Sequence, residues 1–292
     1  MQEEISDAAY LGPTNVGDQT GISSYNLNMK SISQFQRPGI RYLFTDIDDT
    51  LTDHGQLGPE SYSALWELSR NAIEIIPVTG RPAGWCEMIA RFWPVHGVIG
   101  ENGGFYFRYH DKKMQRHFAF DEKTQQQNRL ELKLIREEVL REVPGCAIAS
   151  DQFSRLMDLA VDFAEDVGPL TEAQINQILA VFSRHGAQAK VSSIHVNGWF
   201  GDYNKLSMCR EYATRELGLD LDCENAKFAF TGDSPNDEPM FEFFENSFAV
   251  SNIRNFLNRL KHHPAYLADK PGGEGFVQIA HRLLEVNQAS GR

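Results

Sequence analysis

Two aspartates one residue apart, Asp46 and Asp48, stand in the run Asp46-Ile47-Asp48-Asp49-Thr50. Carboxylates this close repel each other, and the repulsion is tolerated where a cation or a shared proton offsets it. A third carboxylate lies far downstream, in Gly232-Asp233-Ser234-Pro235-Asn236-Asp237. Three acids brought together would form an oxygen-rich site for a hard divalent ion such as Mg²⁺, which takes one or two carboxylates plus a substrate phosphate. Aspartate can also act as a nucleophile and carry a phosphoryl group. A calcium-binding loop starting at Asp46 would need Gly at its sixth position and Glu at its twelfth. Leu51 and Leu57 stand there, so that reading fails. A solvated acidic turn would account for Asp46–Asp49 alone, but not for a second cluster at another strand end.

Thr79, in Val78-Thr79-Gly80-Arg81-Pro82, offers a hydroxyl and a backbone N–H to an anion, although an ordinary turn explains the same residues. Lys205 opens a predicted helix, where a cation is mildly unfavourable to the helix dipole. Facing carboxylates and a phosphate, it would be well placed. The phosphate-binding pattern Gly-x₄-Gly-Lys-[Ser/Thr] is absent, which excludes a P-loop nucleotide hydrolase.

The elements that must position these residues follow a rhythm. A strand over Ile40–Thr45 is followed by a helix over Pro59–Arg70 and a strand over Ile73–Val78. A helix over Pro82–Phe92 and a strand over Gly97–Gly100 come next. Alternation of this kind predicts a parallel α/β sheet, with its ligand site outside the carboxyl ends of the strands. From Phe105 to Ser193 the rhythm changes to a hairpin, two helices and short strands, read as an α+β insertion. Parallel order then resumes with a helix over Lys205–Leu217, strands over Lys227–Phe230 and Phe248–Val250, and a last helix over Gly275–Val286. Residues up to Arg37 show neither periodicity and read as a tail.

In this order the four pieces, Asp46-x-Asp48-x-Thr50, Thr79, Lys205 and Gly232-Asp233-x-x-Asn236-Asp237, resemble the haloacid dehalogenase superfamily. The resemblance spans Arg41 to Leu284. Glu101-Asn102-Gly103 resembles an element of the Cof-like and sucrose-phosphatase-like branch, subclass IIB, although Asp49 stands where many of that branch have Gly. The resemblance implies a Rossmann-like core at 39–103 and 198–292, an inserted C2-type cap at 104–197, and a flexible tail at 1–38.

It also implies roles. Asp46 would attack phosphorus, and Asp48 would protonate the leaving alcohol and then activate water. Thr79 and Lys205 would hold the phosphoryl oxygens. Mg²⁺ would be held by Asp46, the Asp48 carbonyl and Asp233, with Asp237 in the metal site orienting Lys205 or a metal-bound water. Arg81, Asn102 and Asn236 fall on the substrate side. Substrate choice would come from the cap, where His195, Asn197 and Trp199 would meet a sugar. The expected activity is a Mg²⁺-dependent phosphatase of a small phosphorylated metabolite, with a sugar phosphate the first choice. A phosphomutase is the alternative, but Arg108, Lys112, Lys113, Arg116 and Lys190 form no evident second phosphate site. A non-catalytic binding protein is the third reading, against which the retention of Asp46, Asp48, Lys205 and Asp233 speaks.

Composition agrees with this picture. The 292 residues are 41% hydrophobic and 23% charged, enough for a sizeable core. Forty acidic against 28 basic residues give a formal charge of −12, which argues against nucleic acid or an anionic membrane as partner. The four cysteines are dispersed without a Cys-x-x-Cys pair, the first residues lack a basic-then-apolar leader, and no long apolar run occurs. The expectation is a cytoplasmic protein of open oligomeric state.

Overall fold

The computed structural model describes residues 29–192 and 194–290, so most of the expected tail lies outside the described residues. Six parallel strands form the central sheet. Their spatial order is Lys30–Ser31, Tyr266–Leu267, Ser247–Ala249, Phe228–Gly232, Tyr42–Thr45 and Glu74–Pro77. The inner strands are apolar along nearly their whole length because both faces are covered. Successive side chains serve opposite layers: Leu43, Ile75 and Ala229 pack on one face, and Phe44, Ile76 and Phe230 on the other. The first layer holds the helices Pro59–Arg70, Ala83–Phe92 and Gly272–Ser290, and the second holds Lys205–Tyr212 and Glu238–Phe243. Pro59 starts its helix at the position where its missing N–H costs nothing, with Glu60 in the first turn and Arg70 in the last. The expected α/β architecture with a parallel sheet is the one observed.

The insertion builds a four-stranded antiparallel sheet, ordered Gln188–Val191, His195–Trp199, Leu159–Asp162, Ala147–Ile148. One face packs Leu159, Val161 and Val196 against the helices Glu122–Glu142 and Glu172–Arg184. The second helix opens on a capping box between Thr171 and Gln174. The opposite face is polar.

Three local expectations change. The hairpin Phe105–His110 and Lys113–Phe118 does not join this sheet. It pairs with Val98–Gly100 and packs into the core layers, because Phe105, Tyr106 and Phe107 are all buried. Part of the expected flexible tail is also built in: Lys30–Ser31 pairs with Tyr266–Leu267, and Phe35 sits edge-on to Phe248 and Tyr266. Two apolar residues, Ile32 and Phe35, fix this arm. The last helix starts at Gly272 rather than Gly275.

The hairpin is joined to the Lys205 helix by a polar cluster. His96 Nδ1 lies 2.7 Å from the Tyr212 hydroxyl, and Arg108 Nη2 lies 3.1 Å from His96 Nε2. Burial, and then the Arg108 charge, push His96 down to about 4. A histidine whose folded pKa lies below its unfolded value of about 6.5 adds stability above that value and loses it as pH falls through the folded one. Urea unfolding between pH 7 and pH 4 is therefore expected to weaken by on the order of 2 kcal/mol from this group. The variant His96→Gln should flatten the slope by that amount, and an unchanged slope would contradict the assignment.

Candidate active site

The parallel sheet delivers the acids. Asp46 directly follows the strand Tyr42–Thr45, and its N–H donates to Thr231 O at 2.9 Å on the neighbouring strand. Asp233 follows that neighbour. Lys205 is the first residue of its helix, which Asn204 caps by accepting from Ser207 N–H at 2.9 Å. The lysine amine then reaches back to the strand ends. Nζ donates to Asp46 Oδ1 at 2.8 Å and to Asp237 Oδ1 at 2.9 Å. Asp237 Oδ2 accepts from Asp233 N–H at 3.2 Å, so both of its oxygens are engaged. Gly232 makes this possible, since a Cβ there would lie 2.3 Å from Asp237 Oδ2.

Oxygens of Asp46, Asp233 and Asp237 lie within 4.8 Å of one another, and all three residues are buried. Burial pushes Asp46 up to about 7, the Lys205 charge pulling against it. Asp233 is pushed up by burial and then by the charges of Asp46 and Asp237. Burial would lower Lys205, but Asp237 and Asp46 outweigh it and hold the amine above the ordinary lysine value. Three carboxylates against one ammonium leave a formal charge of −2. A dication fits that deficit, and the donor set is all oxygen.

Asp48 turns the other way. Arg81 Nε donates to both of its oxygens, at 3.0 and 3.1 Å, and Nη2 donates to Oδ1 at 2.8 Å. Arg81 stacks on Trp85, 4.5 Å from ring centre to guanidinium carbon, and its Nη1 lies 3.6 Å from Glu165 of the insertion. Thr79 is buried, and its Oγ1 accepts from Arg81 N–H at 3.0 Å. Asn102 adopts φ 57°, with its N–H on Thr79 O at 3.0 Å and its side chain over Gly80. Asn236 lies in the same loop as Asp237 and accepts from Ser234 Oγ at 2.7 Å.

The cap-side expectations divide. His195 and Asn197 are on the polar face of the inserted sheet, but both are buried. Asn197 Nδ2 donates to Asp158 Oδ2 at 3.0 Å, and His195 Nε2 stands 2.9 Å from Glu165 Oε2, off the line of a hydrogen bond. Trp199 does not meet a ligand. It is fully buried, stacks on Tyr203 and donates from its indole to Tyr203 O. An aromatic ring beside a polar run reads alike whether it lines a cleft or fills a core.

Arg155, Glu165 and Asn252 carry no clear signal in the sequence, and Glu101 stands out there only as part of the run Glu101-Asn102-Gly103. Glu101 is buried and accepts from the N–H groups of Ala83, Leu156, Met157 and Asp158. Arg155 ties Asp151 and Asp158 to Gly80 O at 3.1 Å, which pins the insertion to the Thr79 turn. Glu165 bridges toward Arg81 and His195. Asn252 donates to Asp49 O at 2.8 Å and Asp233 Oδ2 at 3.2 Å. Asn252 does share one cue with the others, a polar residue just past a strand end.

Residues 43–133 match the family described as haloacid dehalogenase-like hydrolase. Solved structures of the same fold include one from Thermoplasma acidophilum, at TM-score 0.66 and 17% identity, covering 85% of this chain and 99% of that one. A haloacid dehalogenase subclass IIB sugar phosphatase matches at TM-score 0.59 and 15% identity, over 84% and 99% of the two chains. The Synechocystis sucrose-phosphatase matches at TM-score 0.58 and 16% identity, over 84% and 98%. Comparison with curated proteins gives no match. Among the described residues no helix is long and apolar enough to cross a membrane.

The cluster of acids around Lys205 thus rests on one glycine at close quarters. The variant Gly232→Ala is expected to lose about 1–3 kcal/mol of stability through overpacking against Asp237. Urea denaturation checks this, and a change below about 0.5 kcal/mol would contradict the packing described.

Proposed function

We propose that the protein is a Mg²⁺-dependent phosphatase that hydrolyses a small phosphorylated metabolite, a sugar phosphate being the first class to test. One observation carries the reading: a buried aspartate at a strand end shares an oxygen-bound lysine with a second aspartate, beside a third acid. Lys205 engages Oδ1 of Asp46, and the other oxygen is left to attack phosphorus. Attack would transfer the phosphoryl group to Asp46 and release the alcohol. Asp48, which Arg81 holds in the free protein, would leave that partner and take up a proton from solvent as substrate binds, then give the proton to the departing alcohol and take one from the water that hydrolyses the aspartyl-phosphate.

Thr79 and the Lys205 amine would meet the phosphoryl oxygens, with the fixed positive charge in a dry site counting for far more than in water. Asp46, Asp233 and the Asp48 carbonyl would hold Mg²⁺, and Asp237 keeps the lysine in place. The ion when bound supplies charge neutralisation for the transferring phosphoryl group. The net −2 of the buried acids supports this, because an anionic substrate is then compatible with an acidic chain. Two neighbours in fold, a sugar phosphatase and a sucrose-phosphatase, support the same reading.

Purified protein with Mg²⁺ is expected to release phosphate from p-nitrophenyl phosphate and from members of a sugar-phosphate panel. Chelation should remove the activity and added Mg²⁺ should restore it. Asp46→Asn should reduce kcat by about 10⁴ or more while thermal unfolding stays cooperative, and Asp48→Asn by about 10²–10⁴. No release from any ester, or appreciable turnover by Asp46→Asn, would overturn the reading.

A further inference from the structure

Lys190 stands on the polar face of the inserted sheet. It pairs directly with Asn197 across antiparallel strands, and directly opposed residues project from the same side. Asn197 is tied through Asp158 to Arg155, and Arg155 to Gly80 O beside Thr79. The Lys190 side chain therefore belongs to the surface that roofs the strand ends. Ala160, opposite Asn197 on its other side, adds only a methyl group to that surface.

Lys190 is half-buried, and no carboxylate lies within ion-pair distance of its amine among the described residues. Other cations around the strand ends have theirs. Arg155 holds Asp151 and Asp158, Arg81 holds Asp48, and Lys205 holds Asp46 and Asp237. The amine is near enough to the Lys205–Asp237 pair for both charges to act on it: burial and then Lys205 lower it, and Asp237 opposes. A half-buried cation is costly without a counter-charge. Asp237 and Asp46 are already engaged by Lys205, which leaves Lys190 open to a negative charge arriving with a ligand.

The phosphoryl group is met from below, by Thr79 and Lys205 at the core. A group on the roof faces the other end of the ester. We propose that Lys190 is the anchor for an anionic leaving group, so that the preferred substrate is a phosphate monoester whose alcohol part carries a carboxylate or a second phosphate. The proposal deepens the phosphatase reading and rests on it.

Two size-matched pairs test it. One sets 3-phosphoglycerate against glycerol 3-phosphate, and the other sets fructose 1,6-bisphosphate against fructose 6-phosphate. The wild type should prefer the doubly anionic member of at least one pair by about tenfold or more in kcat/KM, chiefly through KM. Which pair shows the preference tells carboxylate from phosphate. Lys190→Met should reduce that ratio to near one, and Lys190→Arg should keep part of it. Calorimetric binding of the same four compounds to both proteins gives the ratio without turnover. If binding shows the preference and its loss while nothing is hydrolysed, Lys190 stands and the phosphatase reading falls. Equal treatment of both pairs by the wild type overturns the proposal. So does an equal loss on both members of a pair in Lys190→Met, which would put the amine on the transferring phosphoryl group.

Discussion

The ammonium of Lys205, shared by Asp46 and Asp237 at 2.8 and 2.9 Å, is the contact on which the rest of the site depends. All three groups are buried, and a buried charge without a partner costs several kcal/mol. One lysine cannot balance three acids, so the site is held short of neutrality. Burial raises the pKa of both Asp46 and Asp233 and the neighbouring acids add to the rise, so a dication and a phosphate ester, arriving together, would be welcomed. Removing the lysine would leave the acids in mutual repulsion, and removing Asp237 would free the lysine to swing.

Several unrelated-looking features serve this one contact. Parallel pairing of Tyr42–Thr45 with Phe228–Gly232 sets Asp46 and Asp233 side by side. Gly232 lets the Asp237 carboxylate pass over the backbone. Asn204 offsets the poor placing of a cation at a helix start by capping it. Gly103, at φ 102°, lets the Glu101-Asn102-Gly103 turn approach Asn204 O, where a Cβ would stand 2.2 Å away. The inserted sheet is fastened over this turn by Glu101 and over the Thr79 turn by Arg155, in both cases through backbone groups. Binding chemistry on the roof can then vary without disturbing the core.

Much of this was legible in the sequence, for a physical reason. Strands buried on both faces read as apolar runs, and Asp46 and Asp233 are conspicuous because each interrupts such a run at its end. Lys205 stood out by being in the wrong place for a helix dipole. What failed was whatever depends on packing direction. Phe105-Tyr106-Phe107 has the pattern of any hairpin strand, and only burial on both sides assigns it to the core. Ile32 and Phe35 are two apolar residues in a polar stretch, too few to betray an arm laid along the sheet edge. Trp199 has the sequence setting of a sugar platform but fills the core, and Arg155, Glu165 and Asn252 have no local pattern to mark them. Their roles come from partners distant in the chain, on which local spacing is silent. Arg81 was expected to face the substrate, and its grip on Asp48 is likewise a contact between strand ends.

The central claim is that Asp46 carries the phosphoryl group. Rapid quenching during turnover, borohydride reduction of any acyl phosphate and peptide mass spectrometry would locate it directly. Homoserine is expected at position 46 in the wild type with substrate, and none without substrate. Reduction at another carboxylate, or an active enzyme in which position 46 is never reduced, would contradict it.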